Sequence, residues 1–290
     1  MSLKYSVVDY NNTDDINVLN LTVPSVLREL KNKNSIVIVR NCCTDKEISD
    51  ESIDKLYLHI NGNLGNLVPV DIDLQTYKPT MKYTTDVKFN YDSDEKRHWK
   101  SSNFQNIHTD NTFGDSFFYA NITTLYCLKP CEYSGETTVI TNNDVLRYIE
   151  IEDRGRNKNL LHKLYDTSIS YLAHDNKYIV KPIIYSYTDE NNTTQPIINF
   201  NVNPAKRGNN SKEVEDIIDE FQDFLDKKIS RSSLMTSFKL QRGDAIYFND
   251  ETVMHARNSF IGSRHYKKMG ILIPEISHFP YQNSHYISSS

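Results

Sequence analysis

Two segments half a chain apart constrain this sequence more than any other feature: Ile107-His108-Thr109-Asp110 and Val253-Met254-His255-Ala256-Arg257. A fold that uses both must bring them together across a shared core. His108 and Asp110 are two residues apart, so on an extended backbone both side chains project to one face while Thr109 projects to the other. The flanking Asn106 and Asn111-Thr112 favour a strand end or a turn over a helix. A third donor must come from elsewhere, because three consecutive local donors would crowd one another. His255 is the best candidate. It follows Gly243 to Asp250, which reads as a turn, a short apolar strand and a second turn.

Two imidazoles and one carboxylate on one face of a metal, with the opposite face open, form the donor set of non-heme Fe(II) oxygenases. A bidentate 2-oxo acid can take two of the open positions and O2 the third. A structural zinc site would instead fill all four of its positions with protein ligands. The His-x-Asp pattern alone is weak evidence. Acidic residues make up roughly 12% of an average chain, so the nine His residues here give about one such pair by chance. The weight comes from the surrounding motifs.

The order His108-Thr109-Asp110, Gly135-Glu136-Thr137, Gly243-Asp244, His255 and Arg264 resembles the taurine dioxygenase/clavaminate synthase (TauD/TfdA) superfamily of Fe(II)- and 2-oxoglutarate-dependent oxygenases. The resemblance runs from about Leu64 to Ile273, and Leu64-Gly65-Asn66-Leu67 is similar to the family's Phe-Gly-x-Leu element. It implies that His108, Asp110 and His255 are the iron ligands. It also implies that Thr137 and Arg264 hold the distal carboxylate of 2-oxoglutarate. A guanidinium suits that task, because its planar fork matches a carboxylate and keeps its charge.

Many relatives carry a second Arg four residues after the first, to bind an anionic group of the substrate; here that position is Lys268. A lysine is a point charge, so its recognition of an anion is less directional. The competing reading is an exposed basic pair with Lys267. Arg257, in a His-x-Arg pattern seen in amino-acid oxygenases of the family, and His265 are further candidates beside the centre. Tyr77, Lys82 and Tyr83 lie in a polar stretch that the resemblance makes part of the substrate pocket or its lid. The implied substrate is a small polar molecule, an amino acid or a derivative, free or attached to a carrier protein, as in specialised metabolism. Asp110 favours oxygen insertion over halogenation, because family halogenases replace this carboxylate with Gly or Ala. Hydroxylation is the default outcome. Desaturation and other oxidative rearrangements use the same ligands. The oxidant forms at the metal, so no separate protein acid or base is assigned.

The expected architecture is mainly β with flanking helices: a double-stranded β-helix (jelly roll, cupin-like) core with a helical insert. Helices are expected over 23–31 with Pro24 in the first turn, 45–60, 143–151, 156–165 and 211–229. The last is the clearest, with Val214, Ile217, Ile218, Phe221, Phe224 and Leu225 on one stripe. Strands are expected over 35–40 and 117–126, and a hairpin from 178–185 and 196–200. The whole chain, 1–290, is expected to form one oxygenase domain. Its core spans about 35–273, residues 68–103 form a substrate lid, and 275–290 form a tail.

A net charge of −5 with no long basic block argues against nucleic acid and against an anionic membrane surface. Cys42, Cys43, Cys127 and Cys131 form no Cys-x-x-Cys pattern and read as structural thiols in a reducing cytoplasm. No run approaches the length of a membrane span. Two competing readings use the same residues. A non-catalytic jelly-roll binding protein would have been free to lose one of the five site residues. A hydrolytic zinc enzyme would leave Arg264 and Thr137 without a purpose.

Overall fold

Alternation along the strands sorts the apolar side chains into separate cores, and the layers of the fold follow from that sorting. The structure, a computed structural model, describes residues 5–9, 16–31, 36–40, 48–71, 73, 80–89, 102–110, 118–156, 159–172, 178–188, 194–278 and 286–287. A major sheet contains β1 (Ser6–Asp9), β2 (Ile36–Arg40), β3 (Asn66–Val68), β4 (Thr85–Lys88), β6 (Ile122–Lys129), β14 (Ala245–Asn249) and β17 (His265–Leu272). Its order is β1-β2-β14-β6-β17-β3, with β4 also paired to β17. A minor sheet runs β13 (Thr236–Phe238), β8 (Thr137–Thr141), β15 (Val253–Arg257), β5 (Gln105–His108).

Val37, Val39, Tyr126, Tyr247, Met269 and Ile271 point from the major sheet towards α1 (Ile16–Lys31) and α2 (Asp50–Leu64). Their neighbours Ile36, Ile38, Cys127, Ile246, Phe248 and Tyr266 point the other way and share a core with Val139, Phe238 and Val253 of the minor sheet. The middle of the major sheet is therefore covered on both faces, which is why β2 (Ile-Val-Ile-Val-Arg) and β14 (Ala-Ile-Tyr-Phe-Asn) read as nearly unbroken apolar runs. On the far side of the minor sheet, Ile107, Ile140, Met254 and Ala256 pack with α3 (Asn142–Arg156), α4 (Leu160–Asp166) and α6 (Lys212–Phe224). Three small pairings complete the chain: β7 (Tyr133–Ser134) with β16 (Phe260–Ile261), β11 (Ile184–Thr188) with β12 (Thr194–Ile198), and β9 (Ser168–Leu172) with β10 (Tyr178–Pro182) and β18 (Tyr286–Ile287). The short α5 (Val202–Lys206) precedes α6.

Local chemistry sets several element ends. Ser49 caps α2 by accepting from Ser52 N at 3.1 Å, and Gly65 ends it where a Cβ would lie 2.5 Å from the Leu272 carbonyl. Ser211 caps α6, whose Ile218 and Phe221 are buried, and the chain continues as a π-helical turn over Leu225–Ile229. That turn carries Asp226, which accepts from Asn106 Nδ2 at 3.2 Å and so ties the insert to β5. Tyr57 of α2 donates to the Gly243 carbonyl at 2.6 Å, anchoring the turn that leads into β14.

Several boundaries differ from the sequence expectation. α1 begins at Ile16, so Pro24 lies inside it; Val26 and Leu30 bury the last turns against β2 and α2. α2 starts after its Ser49 cap and runs on to Leu64, while residues 45–47 of the expected helix lie outside the described residues. β6 starts at Ile122. The run from 178 to 185 is split after Pro182, where the Ile183 N–H turns to the Thr167 carbonyl at 3.0 Å. Only β11 then forms the hairpin with β12, while β10 pairs with β9. Cys42, Cys43, Tyr77 and the turn at 189–193 lie outside the described residues. Cys127 and Cys131 are buried free thiols. Among the described residues, no helix is long and apolar enough to cross a membrane.

Candidate metal centre

The minor sheet brings the two separated segments face to face. His108, the last residue of β5, is the cross-strand partner of His255 in β15, and their rings lie 4.2 Å apart. Asp110 follows just beyond the strand end. Its backbone N–H donates to the Asp250 carboxylate at 2.9 Å, while Asp250 is itself fixed by its N–H to the Asn121 carbonyl. Between them Thr109 points away, as the alternation requires: its hydroxyl accepts from Phe200 N at 3.0 Å. One donor atom from each of His108, Asp110 and His255 falls within a common 4.8 Å.

The donor set fits a metal. His108 Nε2 lies 3.7 Å from Asp110 Oδ1, and His255 Nε2 lies 3.6 Å from Asp110 Oδ2. Donors held about 2.1 Å from a common ion stand roughly 3.0 to 3.4 Å apart. The two separations here involve different oxygens of Asp110, and with one atom from each residue the set lies within 4.8 Å, so ligation would draw the three side chains together. Protonation also suits ligation. Burial and the neighbouring His108 push the His255 imidazole down to about 3, against the pull of Asp110, so His255 is neutral at neutral pH. Burial would raise Asp110, but Lys268, His255 and His108 together hold it well below the ordinary carboxylate range.

The surrounding groups orient the donors. His108 Nδ1 faces the Asn106 carbonyl at 2.7 Å; a carbonyl only accepts, so Nδ1 carries the proton and Nε2 offers its lone pair to the centre. Thr123 of β6 donates to Asp110 Oδ2 at 3.3 Å. Phe248 packs 4.6 Å from the His255 ring and forms an apolar wall.

Lys268 lies inside the centre, not on the surface: its Nζ is 2.7 Å from Asp110 Oδ1. The alternation of β17 explains this, since Lys267 on the opposite face pairs with Asp54 of α2. Arg264 and Lys268 share the inner face, with Tyr266 between them under the Arg264 guanidinium, 3.7 Å from Cζ to ring centroid.

A second cluster lies one step along β15. Arg257 is the cross-strand partner of Thr137, as His255 is of Val139. Two residues of strand separate Arg257 from His255, about 7 Å. Arg257 and Arg264 are both buried, at 3% exposure each. Burial and the adjacent Arg264 bring Arg257 down to about 9. Arg257 donates to the Asn103 carbonyl at 2.9 Å. Arg264 Nε and Thr137 Oγ1 are buried with no hydrogen-bond partner among the described residues. Such a pairing of buried cations and an unused hydroxyl calls for an anion.

Tyr83 is exposed, two residues before Thr85, the cross-strand partner of Lys268. His265 faces Asp86 at 2.7 Å on the outer side of β17. Lys82 is exposed. Sequence reasoning missed Gln105, Thr123 and Asp250. Asp250 is an acidic residue in the turn just before the His255 strand, a readable signal; Gln105 stands three residues from His108, where strand alternation turns a side chain to the opposite face.

A sequence profile of the Taurine catabolism dioxygenase TauD, TfdA family matches residues 11–269. No protein with a curated description matches in sequence. Solved structures do match in fold. PvcB from Pseudomonas aeruginosa aligns at 13% identity over 92% of this chain and 86% of its own, with a TM-score of 0.58. An asparagine oxygenase solved with Fe(II), 3-hydroxyasparagine and succinate aligns at 12% identity over 88% and 82%, with a TM-score of 0.62. A taurine dioxygenase from Burkholderia xenovorans aligns at 12% over 99% and 94%, with a TM-score of 0.58.

Proposed function

The chain belongs to the TauD, TfdA family of Fe(II)- and 2-oxoglutarate-dependent dioxygenases, and from that premise we propose that it hydroxylates an aliphatic C–H of a small acidic substrate, an amino acid or a derivative of one. The observation that carries this reading is the convergence of His108, Asp110 and His255 beside a separate buried cluster of Arg257, Arg264 and Thr137. We assign the first three as the iron ligands, and Thr137 and Arg264 as the anchor of the distal carboxylate of 2-oxoglutarate. The roughly 7 Å step between the two clusters suits a five-carbon diacid that reaches from one to the other. Bound Fe(II) supplies O2 activation coupled to decarboxylation of 2-oxoglutarate to succinate and CO2, with the second oxygen atom going to the substrate.

The chain's own groups do the rest. Thr123 and the backbone contact to Asp250 hold the Asp110 carboxylate in one orientation. The apolar inner-face residues Leu125, Val139, Phe248 and Val253 exclude water from one side. Lys268 supplies the cation for an acidic group of the substrate, and Arg257 and the exposed Tyr83 are further substrate contacts. An asparagine oxygenase among the similar structures supports an amino-acid substrate. We read the two facing sheets as a double-stranded β-helix within a single domain, 1–290, whose core spans about 35–273. Of the stretch 68–103, expected to cover the substrate, β4 belongs to the major sheet and 72, 74–79 and 90–101 lie outside the described residues; we keep the covering role for the parts on either side of β4. Asp71, which accepts from Thr80 and Thr85 at 2.7 and 2.9 Å, would pin part of that cover. The buried free thiols Cys127 and Cys131 suit a reducing cytosol.

Anaerobic titration of the protein with Fe(II) and 2-oxoglutarate tests this reading through the visible metal-to-ligand charge-transfer band of the chelate. The band should form in the parent, vanish in Asp110→Ala, and require much more 2-oxoglutarate in Arg264→Ala. Its absence from folded, metal-loaded parent protein would sink the oxygenase reading and favour a binding role. Substrate is then sought by succinate release over a panel of amino acids.

A further inference from the structure

The register of β5 against β15 contains an irregularity with a chemical consequence. His108 pairs with His255, and Gln105 pairs with Arg257. Three steps on β5 therefore oppose two on β15, which makes a β-bulge with one extra residue on β5. In a regular strand, residues three apart face opposite sides. The bulge cancels that inversion and turns Gln105 to the same side as His108. Its amide Nε2 lies 3.3 Å from His108 Nε2, the atom that would bind the metal.

The protons can be placed. His108 Nδ1 carries its proton towards the Asn106 carbonyl, so Nε2 is the lone pair facing Gln105. Only the NH2 end of the carboxamide can donate to that lone pair, which sets the orientation of the amide. A metal on Nε2 takes the lone pair and leaves the amide N–H without its acceptor. That N–H then sits beside the coordination positions next to His108. It also sits between the metal end of the site and the guanidinium end, because its cross-strand partner is Arg257.

We infer that Gln105 is a contact residue for the 2-oxo acid, its carboxamide N–H donating to an oxygen of the co-substrate at the metal end. The inference rests on the reading of this centre as an Fe(II)/2-oxoglutarate site. Two features set the position apart from a solvated strand residue. Arg257 donates to the Asn103 carbonyl at 2.9 Å and fixes the chain just before Gln105. On the other side, the Asn106 amide is held by Asp226 of the π-helical turn at 3.2 Å. The extra residue is therefore clamped at both ends, and the amide is aimed by the backbone.

The test uses the full-length protein with Gln105→Leu and Gln105→Glu, titrated anaerobically with 2-oxoglutarate after loading with Fe(II). Co(II) binding in the absence of 2-oxoglutarate is measured in parallel. Loss of one neutral hydrogen bond should weaken 2-oxoglutarate by about fivefold to tenfold in Gln105→Leu. Gln105→Glu should lose more, because it removes the donor and also brings a negative charge up to a dianionic co-substrate. Co(II) affinity and Tm of Gln105→Leu should stay near parental values. If that variant does not fold, Gln105→Met, which keeps the length without the amide, takes its place under the same expectations. A 2-oxoglutarate Kd within twofold of the parent would overturn the inference. So would loss of Co(II) binding in the Leu or Met variant, which would make Gln105 a support of the metal alone. If the parent itself forms no chelate band, the site reading fails first and takes this inference with it.

Discussion

Lys268→Met probes how the centre balances its charge without metal. The Lys268 ammonium is 2.7 Å from Asp110 Oδ1, with side-chain exposures of 24% and 15%. Removing it leaves a carboxylate largely out of water whose neighbours among the described residues include two imidazoles, one of them held neutral, and the Thr123 hydroxyl. Cutting one partner from a fully buried ion pair costs roughly 3–5 kcal/mol, while an exposed pair contributes about 1 kcal/mol or less. The partial exposure here places the cost at about 2 kcal/mol for the metal-free protein. An unfolding entropy of about 2.1 cal/mol/K per residue scales to about 0.6 kcal/mol/K for this chain. The metal-free Tm should therefore fall by about 3–4 °C. A divalent ion on Asp110 replaces the lost positive charge, so most of that deficit should disappear on saturation with Co(II). By linkage, the variant should then bind Co(II) more tightly than the parent, by up to about thirtyfold. Calorimetric unfolding with and without Co(II) reads both quantities. An unchanged metal-free Tm, or a deficit that persists in saturating Co(II), would refute the argument that Lys268 stands in for the metal.

Thr137→Val removes a buried hydroxyl that has no hydrogen-bond partner among the described residues. Stability by urea titration should change by less than about 0.5 kcal/mol, whereas 2-oxoglutarate affinity by calorimetry should fall about fivefold. Gly135→Ala should destabilise by about 2 kcal/mol or more. Its φ is +74°, and a Cβ would sit 2.5 Å from Cys131 Sγ and 2.9 Å from Phe260 Cβ; the urea midpoint checks it. The pH dependence of metal-free stability has a defined sign. His255 titrates near 3 when folded and near 6.5 when unfolded, so the unfolded chain binds the extra proton between those values. Stability should rise with pH across that window and level off above it. Asp110, whose folded value is depressed, contributes stability above about 4 that is lost as pH falls through its folded value. Urea midpoints from pH 4.5 to 7.5 should show the slope, and His255→Gln should flatten it.

The parts of this molecule that could be read from sequence are those whose signal is periodic along one chain. The i, i+2 spacing of His108 and Asp110 placed both donors on one face, with Thr109 on the other, and both placements hold. The stripe through Ile218, Phe221 and Leu225 marked α6, and Ser211 marked its start. The same period put Arg264 and Lys268 on one side of β17. What escaped depends on pairing. The break after Pro182 is visible only when the Ile183 N–H is seen to turn to Thr167. The ion pair of Lys268 required knowing which carboxylate the inner face of β17 meets.

Gln105 escaped for the strongest version of that reason. A strict period of two assigns it to the face opposite His108, so sequence reasoning could only have placed it away from the metal. The bulge is a property of β5 and β15 together: Arg257 holds one end of the extra residue, Asp226 holds the other, and neither lies near it in sequence. A one-residue change of register inverts every side chain beyond it, so this single insertion decides whether the centre is faced by an amide or by a bare strand edge. The shared face of His108 and Asp110 is therefore legible from one strand's alternation, whereas His255 takes its weight from the resemblance and meets His108 only through the pairing of β5 with β15. The groups that would select and orient the co-substrate depend on a register that only the assembled sheet defines.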